Sequence, residues 1–226
     1  MTMISIIMPV LNEEEVIERS LRGTTTLQGD FEIIVVDGGS SDKTKEIAKG
    51  YAKVITSKRG RAKQMNAGAK TAKGDILLFL HADSQLPNNA LLEIEKALRD
   101  PKIIGGALKF NLDDPSLLLK VLVFFANLRA NIVKVYLGDH GLFVKRPVFE
   151  KIGGFNEIDL MEDVDLCRKL RREGKLVQLD VEITTSARRL KKRGILKTVI
   201  QMQMNRFLFF IGVSPRRLHR LYGDVR

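Results

Sequence analysis

The sequence contains few of the residues that form disulfides, zinc sites or base-stacking surfaces. Its 226 residues include one cysteine, Cys167, and no tryptophan. A single cysteine excludes an internal disulfide framework, and no Cys/His spacing indicates a zinc site. Cys167 lies three residues after Val164 in EDVDLCRKLRR, on a helical face. Packing in the core is therefore favoured over a reactive thiol.

The sequence also lacks a long, uninterrupted hydrophobic run. The amino-terminal MTMISIIMPV is broken by Pro9 and has no basic residues before it, so we interpret it as a buried strand and not as a signal peptide. Segments 117–137 and 195–213 are apolar, but both contain basic and amide residues. A lysine or arginine at the bilayer centre costs about 2.5–3.5 kcal/mol. Packing against the protein and lying in a membrane interface stay open for both segments. We expect a cytoplasmic protein, with peripheral attachment to the inner face of the membrane as a further hypothesis.

The charge is strongly positive. The formal net charge is +11, and basic residues concentrate toward the carboxyl end in RKLRR (168–172), RRLKKR (188–193) and RRLHR (216–220). Such a surface suits nucleic acid, anionic lipid headgroups or a small phosphorylated substrate. The three tyrosines do not alternate with the basic runs. Because no base-stacking surface is indicated, we predict no nucleic-acid partner.

Residues 1–100 alternate between apolar strands and amphipathic helices. The predicted strands are ISIIMPV, FEIIVVD, AKVITS and DILLFLHAD, each followed by a helical pattern. This alternation predicts an α/β fold with a mostly parallel sheet flanked by helices. Beyond residue 100 the pattern changes to isolated strands, long apolar helices and a final strand pair in KLVQLDVEITTS. We predict one domain over 1–190, with halves 1–100 and 101–190, and a basic, apolar helical appendage over 191–226.

Carboxylates follow three of the four predicted strands, where an open parallel sheet binds its ligands. The first strand ends in PVLNEEE, whose negative charge disfavours binding of a dinucleotide phosphate at this turn. Asp37 closes the second strand before two glycines. It suits either a hydrogen bond to a nucleobase or ribose, or local bonds within a turn.

The segment HADSQLP follows the fourth strand and places His81, Asp83 and Gln85 at alternate positions. These side chains share one face if the extended conformation continues. Carboxylate and amide oxygens, together with imidazole, suit Mg²⁺ or Mn²⁺. The alternative is that Asp83 caps the helix that follows.

A third acidic group, Glu162, Asp163 and Asp165, begins a basic amphipathic helix. Acids in a first turn complement the helix dipole. Three carboxylates in four positions exceed what capping needs, so one of them is a candidate general base. The pattern alone leaves both interpretations open.

Five segments occur in an order that is typical of one family. They are IIMPVLNEEEVIERSL, IIVVDGGSSDKT, GRAKQMNAGAKTAKGDILLFLHADSQLP, GDHGLFVKRPVFEKIGGF and MEDVDLCRKLRREGK. This series, over residues 4–180, resembles family 2 glycosyltransferases. It looks closest to a short prokaryotic subgroup with LHAD, MEDVDL and TSxRR motifs, the last matched by TTSARR at 184–189.

The resemblance implies a GT-A fold whose halves 1–100 and 101–190 bind nucleotide and acceptor. The donor is a nucleotide-diphosphate sugar, such as a UDP-sugar or GDP-sugar, and the sugar is transferred with inversion. Six residues fall on positions that border the nucleotide: Pro9, Leu11, Glu13, Asp37, Arg61 and His81. Among these, Asp37 is expected to bond the base and Arg61 to approach the base or diphosphate. His81 replaces the first aspartate of the family's DxD element, so the ribose contact and nucleotide preference stay open.

The resemblance also implies the catalytic and metal residues. Asp83 falls on the metal-binding aspartate and Gln85 on a secondary ligand, so the expected cofactor is Mg²⁺ or Mn²⁺. Asp163 falls on the catalytic base, with Glu162 beside it. Asp163 would take the proton of an acceptor hydroxyl in a single in-line displacement.

Two rival functions are disfavoured by particular residues. A nucleotidyltransferase normally has a glycine-rich, basic loop where this chain has NEEE. A membrane-associated nucleotide-sugar binding protein without activity would not need Asp37, Asp83 and Asp163 together. The apolar helices and basic runs after residue 105 suggest a lipid acceptor at an anionic membrane surface as a hypothesis.

Overall fold

The computed structural model describes residues 2–215 and 217–218, with side chains except at positions 189, 192, 193 and 196. Eight strands form one sheet in the order β3-β2-β1-β4-β7-β6-β8-β5. Their bounds are β1 Ile4–Val10, β2 Phe31–Asp37, β3 Lys53–Thr56, β4 Ile76–Phe79, β5 Ser84–Gln85, β6 Ile103–Leu112, β7 Leu142–Lys145 and β8 Lys175–Thr185.

Strands β1 to β4 are parallel to one another, whereas β5 is antiparallel to β8, and the strands beyond residue 100 also make the sheet mixed. Strand β1 pairs in parallel with β2 and β4, and β2 with β3. Strand β7 is antiparallel to both β4 and β6, whereas β6 and β8 are parallel. The predicted α/β fold is confirmed, and β7 joins its two halves into one sheet.

One detail of the prediction was wrong: the segment KLVQLDVEITTS is one strand, not a strand pair. In β8 the pairing with β6 moves from Leu108–Leu179 to Lys109–Glu182. Asp180 and Val181 are the extra residues of this β-bulge, which bends the strand without reversing it. The two halves of the segment therefore belong to one bulged strand.

Nine helices are assigned in the described part of the chain, and they pack on both faces of the sheet. They are α1 Ile17–Thr25, α2 Thr44–Lys49, α3 Arg61–Thr71, α4 Ala90–Leu98, α5 Leu117–Val133, α6 Arg146–Lys151, α7 Glu162–Leu170, α8 Arg188–Arg193 and α9 Ile195–Phe210. Alternate residues of the central strands enter two buried clusters, with Ile7, Ile34 and Leu77 in one and Ile6 and Leu78 in the other. Full burial of each such side chain stabilises the fold by about 1.5–3 kcal/mol.

The first helix begins later than the predicted NEEEVIERSL segment because the preceding loop is held by other bonds. Asn12 has a φ of 54°, and its side-chain oxygen accepts a hydrogen bond from the Ser41 amide at 2.9 Å. The Glu13 amide donates to Thr44 Oγ1 at 2.7 Å. The loops after β1 and β2 are thereby tied to each other, at the carboxyl ends of their strands.

The last helix packs on the domain through one face. Leu208 and Phe209 contact the main core cluster, and the Arg168 guanidinium lies 5.0 and 4.6 Å from the ring centres of Phe209 and Phe210. The predicted boundary between residues 190 and 191 falls inside α8. The division into domain and appendage stays a prediction, and positions 216, 219 and 220 of the RRLHR run lie outside the described residues.

Candidate active site

A cavity of about 630 Å³ opens at the carboxyl ends of β1 and β4. Its polar wall comes from the strand ends, the start of α3, the 3-10 turn Gly138–His140 and the region before α7. Its apolar wall comes from α5 and α9. Most of the sequence-predicted site residues line it: Pro9, Leu11, Glu13, Arg61, His81, Asp83 and Asp163.

Asp37 lies outside this lining, in the turn after β2. Its side chain is 2% exposed and accepts hydrogen bonds from the amides of Gly39 and Ser40, at 3.1 Å each. These are the local turn bonds that the sequence left as an alternative. A contact between Asp37 and a nucleobase stays a prediction.

Gln64, which the sequence did not single out, joins the ends of β1 and β2. Its side-chain amide is fully buried and donates to the carbonyls of Val10 and Val36, both at 2.8 Å. A Cβ on Gly38 would come within 3.0 Å of this amide. Gln64 therefore ties the end of β1, which borders the cavity, to the end of β2, and Gly38 leaves room for its side chain.

Asp83 lies in a turn after β4 and not in a continued strand. Strand β4 ends at Phe79, and the Ser84 amide donates to the His81 carbonyl at 3.1 Å. The alternation expected for His81, Asp83 and Gln85 is therefore broken. His81 and Asp83 line the large cavity, whereas Gln85 lines a neighbouring cavity of about 60 Å³ that Asp83 also borders. A role for Gln85 as a metal ligand stays a prediction.

Asp163 is held in the cavity wall by two backbone amides. Its Oδ2 accepts from Gly138 at 2.8 Å, and its Oδ1 accepts from Val164 at 2.7 Å. Gly138 also packs against His81, because a Cβ at position 138 would lie 2.6 Å from His81 Nε2. Gly138 therefore contacts both Asp163, the predicted base, and His81, which occupies the position of the first DxD aspartate.

Glu162 faces a different partner from its neighbour. Its Oε1 accepts from Arg61 Nε at 2.7 Å, and its side chain is 3% exposed. The charge of Glu162 raises the pKa of Arg61. Arg61 lines the cavity and Glu162 does not, so Glu162 orients the arginine from behind.

The turn Gly138–His140 brings in two titratable residues that the sequence did not identify. Burial, with the nearby charge of Asp163, raises the pKa of Asp139 to about 7, and Asp83 acts in the same direction. Burial lowers the pKa of His140 to about 4, so this imidazole is neutral at physiological pH. The only sequence signal for them was the GDHG segment within one family motif.

Asp139→Asn is expected to stabilise the metal-free protein at high pH. Above about pH 4 the unfolded Asp139 is ionised while the folded one stays protonated to about 7, so its contribution to the free energy of unfolding falls as pH rises between those values. At about pH 8 the variant should gain about 4 kcal/mol, or roughly 8–16 °C in Tm. Thermal unfolding with a chelator measures this. The gain should vanish near pH 4, and an equal gain at both pH values would contradict the assignment.

Cys167 is buried as predicted. Its thiol is fully buried and lies 3.4 Å from the amide nitrogen of Tyr136. Burial raises the pKa of Cys167 to about 12. A reactive thiolate is therefore disfavoured, and the interpretation of Cys167 as a packing residue is confirmed.

The described residues contain no cluster of three or more His, Cys, Asp or Glu side chains that would enclose a metal ion. Mg²⁺ is commonly held by one or two carboxylates together with substrate phosphates, and Asp83 provides such a carboxylate on the cavity wall. Asp83 and Asp163 both act to raise the pKa of Asp139, so three carboxyl groups lie near one another in this cavity wall. This donor set fits an ion completed by a diphosphate.

The two helices that form the apolar wall also carry solvent-exposed hydrophobic side chains. Of the fifteen large hydrophobic side chains that are exposed in the described part of the chain, fourteen lie on α5 or between positions 200 and 211. The most exposed of these are Leu117, Ile132, Phe124, Phe207 and Ile211, at 61–77%. Within the described ranges, no helix is long and apolar enough to cross a membrane.

Comparison with known proteins identifies relatives of the chain. Residues 5–153 match the family profile described as Glycosyl transferase family 2. The chain is 28% identical over 190 residues to the beta-monoglucosyldiacylglycerol synthase of Trichormus variabilis, covering 74% of this chain and 41% of that protein. It is 29% identical over 124 residues to the undecaprenyl-phosphate 4-deoxy-4-formamido-L-arabinose transferase of Photorhabdus laumondii, covering 49% and 38%. The chain thus spans less than half the length of these relatives.

Solved structures show the same fold at low sequence identity. The mannosyltransferase PcManGT from Pyrobaculum calidifontis, in complex with GDP-Man and Mn²⁺, superposes with a TM-score of 0.64 at 21% identity, over 80% of this chain and 56% of that one. Residues 1–349 of S. aureus TarS, in complex with UDP, give a TM-score of 0.62 at 18% identity, over 81% and 60%. The predicted GT-A fold is confirmed by these likenesses.

Proposed function

The chain belongs to glycosyl transferase family 2, and we propose that it is an inverting, metal-dependent enzyme that transfers a sugar from a nucleoside-diphosphate donor to a hydroxyl of a lipid acceptor. The observation that carries this proposal is the shared cavity. Asp83, from the end of β4, and Asp163, from the start of α7, line one space that is polar at the strand ends and apolar between α5 and α9. We also assign the chain to the short subgroup with LHAD, MEDVDL and TSxRR motifs.

The donor fits the polar end of the cavity. Pro9, Leu11 and Glu13 border the nucleoside, and Arg61 reaches the diphosphate while Glu162 holds its Nε. Asp83 would hold Mg²⁺ or Mn²⁺, and such an ion would supply positive charge to offset the charge of the diphosphate. Proteins of the same fold have been solved in complex with UDP or with GDP-Man and Mn²⁺. On this basis we propose that the donor of this chain is a UDP-sugar or a GDP-sugar.

In the transfer step, Asp163 acts as the general base. Its carboxylate takes the proton of the acceptor hydroxyl while that oxygen forms a bond to the anomeric carbon. The bond from that carbon to the diphosphate breaks, and the nucleoside diphosphate leaves with the electron pair. The two amides that hold Asp163 leave each of its oxygens a further lone pair. Positioning donor and acceptor in line supplies much of the remaining rate acceleration.

The acceptor side suits a lipid at a membrane surface. Exposed phenylalanines on α5 and α9 would enter the headgroup region, and the net charge of +11 would attract anionic lipids. Lys120 and Lys197 are exposed on the same two helices. Two relatives carry a lipid in their names, diacylglycerol in one and undecaprenyl phosphate in the other. These features support a peripheral location on an anionic membrane.

Binding to anionic vesicles at low salt is expected to depend on the exposed phenylalanines of α5 and α9. Replacing Phe124 and Phe207 by serine should weaken vesicle binding about tenfold or more, since their 62% and 61% exposed rings would supply buried apolar area. Co-sedimentation measures it. Leu92→Ser is the matched control, because Leu92 is 40% exposed on α4. A wild-type protein that stays in the supernatant would remove the membrane from the proposal.

A panel of nucleotide sugars with Mn²⁺ tests the donor assignment directly. At least one UDP-sugar or GDP-sugar should raise Tm, since a ligand that binds only the folded state stabilises it by about 2.7 kcal/mol at a hundred times its Kd. Free sugars are the control. If no nucleotide sugar shifts Tm with Mn²⁺ present, the donor class is wrong. Binding without any transfer or hydrolysis would favour the nucleotide-sugar binding protein instead.

A further inference from the structure

Two arginines from different helices enter the cavity with incompletely bonded guanidinium groups. Arg129 of α5 and Arg206 of α9 both line it. In the part of the chain that the structure describes, Nε and Nη2 of Arg129 and Nε of Arg206 are buried without a hydrogen-bond partner. Buried charged donors are normally satisfied, because each otherwise pays its desolvation cost in full. An acceptor from outside the chain would account for this arrangement.

The two guanidinium groups also repel each other. Burial lowers the pKa of Arg206 to about 10, and the charge of Arg129 acts in the same direction. The negative charges of Asp139 and Asp163 act to raise the pKa of both arginines, but burial outweighs them and the pKa of each arginine is lowered. Two like charges inside one cavity, with donors left over, are the arrangement expected around a multiply charged anion.

The arginine pair comes from other helices than the arginine at the donor end. Arg61, the arginine beside the strand ends, is already paired with Glu162 at 2.7 Å. Arg129 and Arg206 instead lie on the two helices whose apolar residues form the opposite wall, including Leu122, Ala126 and Met202. Asp163 lies close enough to interact electrostatically with both arginines. The pair therefore stands where the apolar wall meets the reacting end.

We infer that Arg129 and Arg206 bind a phosphate group of the lipid acceptor, whose hydrocarbon part lies between α5 and α9. That the acceptor is a lipid rests on the proposed function. That an anion binds here rests on the buried donors of the two arginines that have no hydrogen-bond partner among the described residues. Guanidinium groups bind phosphate oxygens through paired N–H donors. The phosphate anchors the acceptor and takes no part in bond making, so its reacting hydroxyl is presented to Asp163.

The test is a calorimetric titration with dihexanoyl phosphatidic acid below its micelle-forming concentration. The wild-type protein should bind it at least about tenfold more tightly than dihexanoyl phosphatidylcholine, which lacks a phosphomonoester. Arg129→Gln and Arg206→Gln should each lose about tenfold or more of this affinity. Lys120→Gln with Lys197→Gln is the matched control for loss of exposed positive charge, and it should retain the binding. Wild-type binding by the two glutamine variants would overturn the inference.

A second titration, with UDP and GDP in the presence of Mn²⁺, separates the two sources of phosphate. Nucleotide affinity should be unchanged in both glutamine variants. If it falls while phosphatidic acid binding persists, the arginines serve the donor diphosphate and the inference is wrong. Wild-type protein that binds nucleotide but not phosphatidic acid also overturns it. Wild-type protein that binds phosphatidic acid but no nucleotide contradicts the proposed function and leaves the anion site standing.

Folding of the variants is checked independently. Each glutamine substitution removes one of two repelling charges, so Tm should stay the same or rise. Arg206→Lys keeps the charge without the paired donors, and its affinity for phosphatidic acid should lie between those of wild type and Arg206→Gln. A lysine variant that folds and binds as weakly as the glutamine variant assigns the effect to the guanidinium geometry.

Discussion

Asp163→Asn is expected to lower kcat by about 10²–10⁴-fold, the usual contribution of a positioned general base. The amide has nearly the shape of the carboxylate, and its oxygen can accept one of the two backbone hydrogen bonds made by Gly138 and Val164. It cannot accept a proton from the acceptor hydroxyl. Nucleotide affinity should change little. Initial rates at saturating donor, with calorimetry for nucleotide binding, measure both effects.

The control for this variant is Asp165→Asn. Asp165 lies in the first turn of the same helix, accepts a hydrogen bond from Asn156 Nδ2 at 2.8 Å and does not line the cavity. It should keep near-normal transfer. If Asp163→Asn also transfers at a near-normal rate, Asp163 is not the base. Asp139, whose pKa is raised to about 7, is then the next carboxylate to examine.

Asp83→Ala is expected to abolish the effect of Mn²⁺ on nucleotide binding. In the wild-type protein, Mn²⁺ should increase the affinity for UDP or GDP by at least about tenfold, because Asp83 and the diphosphate would both supply oxygen ligands to the ion. The variant should bind nucleotide equally with and without Mn²⁺. The turn itself should persist, since Ser84 Oγ is bonded to Thr185 Oγ1 at 3.0 Å and the Ser186 amide donates to the backbone carbonyl of residue 83.

The matched control is Asp180→Ala, which removes a carboxylate whose side chain is 88% exposed in the β8 bulge. It should retain the full Mn²⁺ dependence. A wild-type protein with the same nucleotide affinity in Mn²⁺ and in chelator would show that the metal assignment is wrong. That result would leave the base assignment of Asp163 untouched, because the two residues act on opposite partners of the reaction.

Local patterns predicted the first half of the fold well. Strands β1, β2 and β4 are short apolar runs that end at glycine- or acid-containing turns, and a parallel sheet directs such ends to one edge. The later elements were harder to predict. Residues 175–185 were predicted to be a strand pair, whereas pairing with β6 keeps them in one bulged strand.

The site was predicted in part, and the missing residues share a cause. Asp83 and Asp163 are eighty positions apart yet line one cavity, as their family motifs implied. Asp139, Arg129 and Arg206 had no comparable signal. A single aspartate in a turn, or an arginine in an apolar helix, has the same local pattern whether it faces solvent or a cavity.

The sequence by itself determined the α/β class, the strand ends that carry the acidic residues, and the burial of Cys167, because each depends on short-range periodicity and residue type. Only the tertiary structure decided that Gln85 faces a separate small cavity, that Glu162 holds Arg61, and that α5 and α9 form the apolar wall of one cavity. These relations depend on contacts between distant segments. The pKa values of Asp139, Arg129 and Arg206 likewise depend on burial and on charged residues from distant segments. Neither can be deduced from the adjacent residues in the sequence.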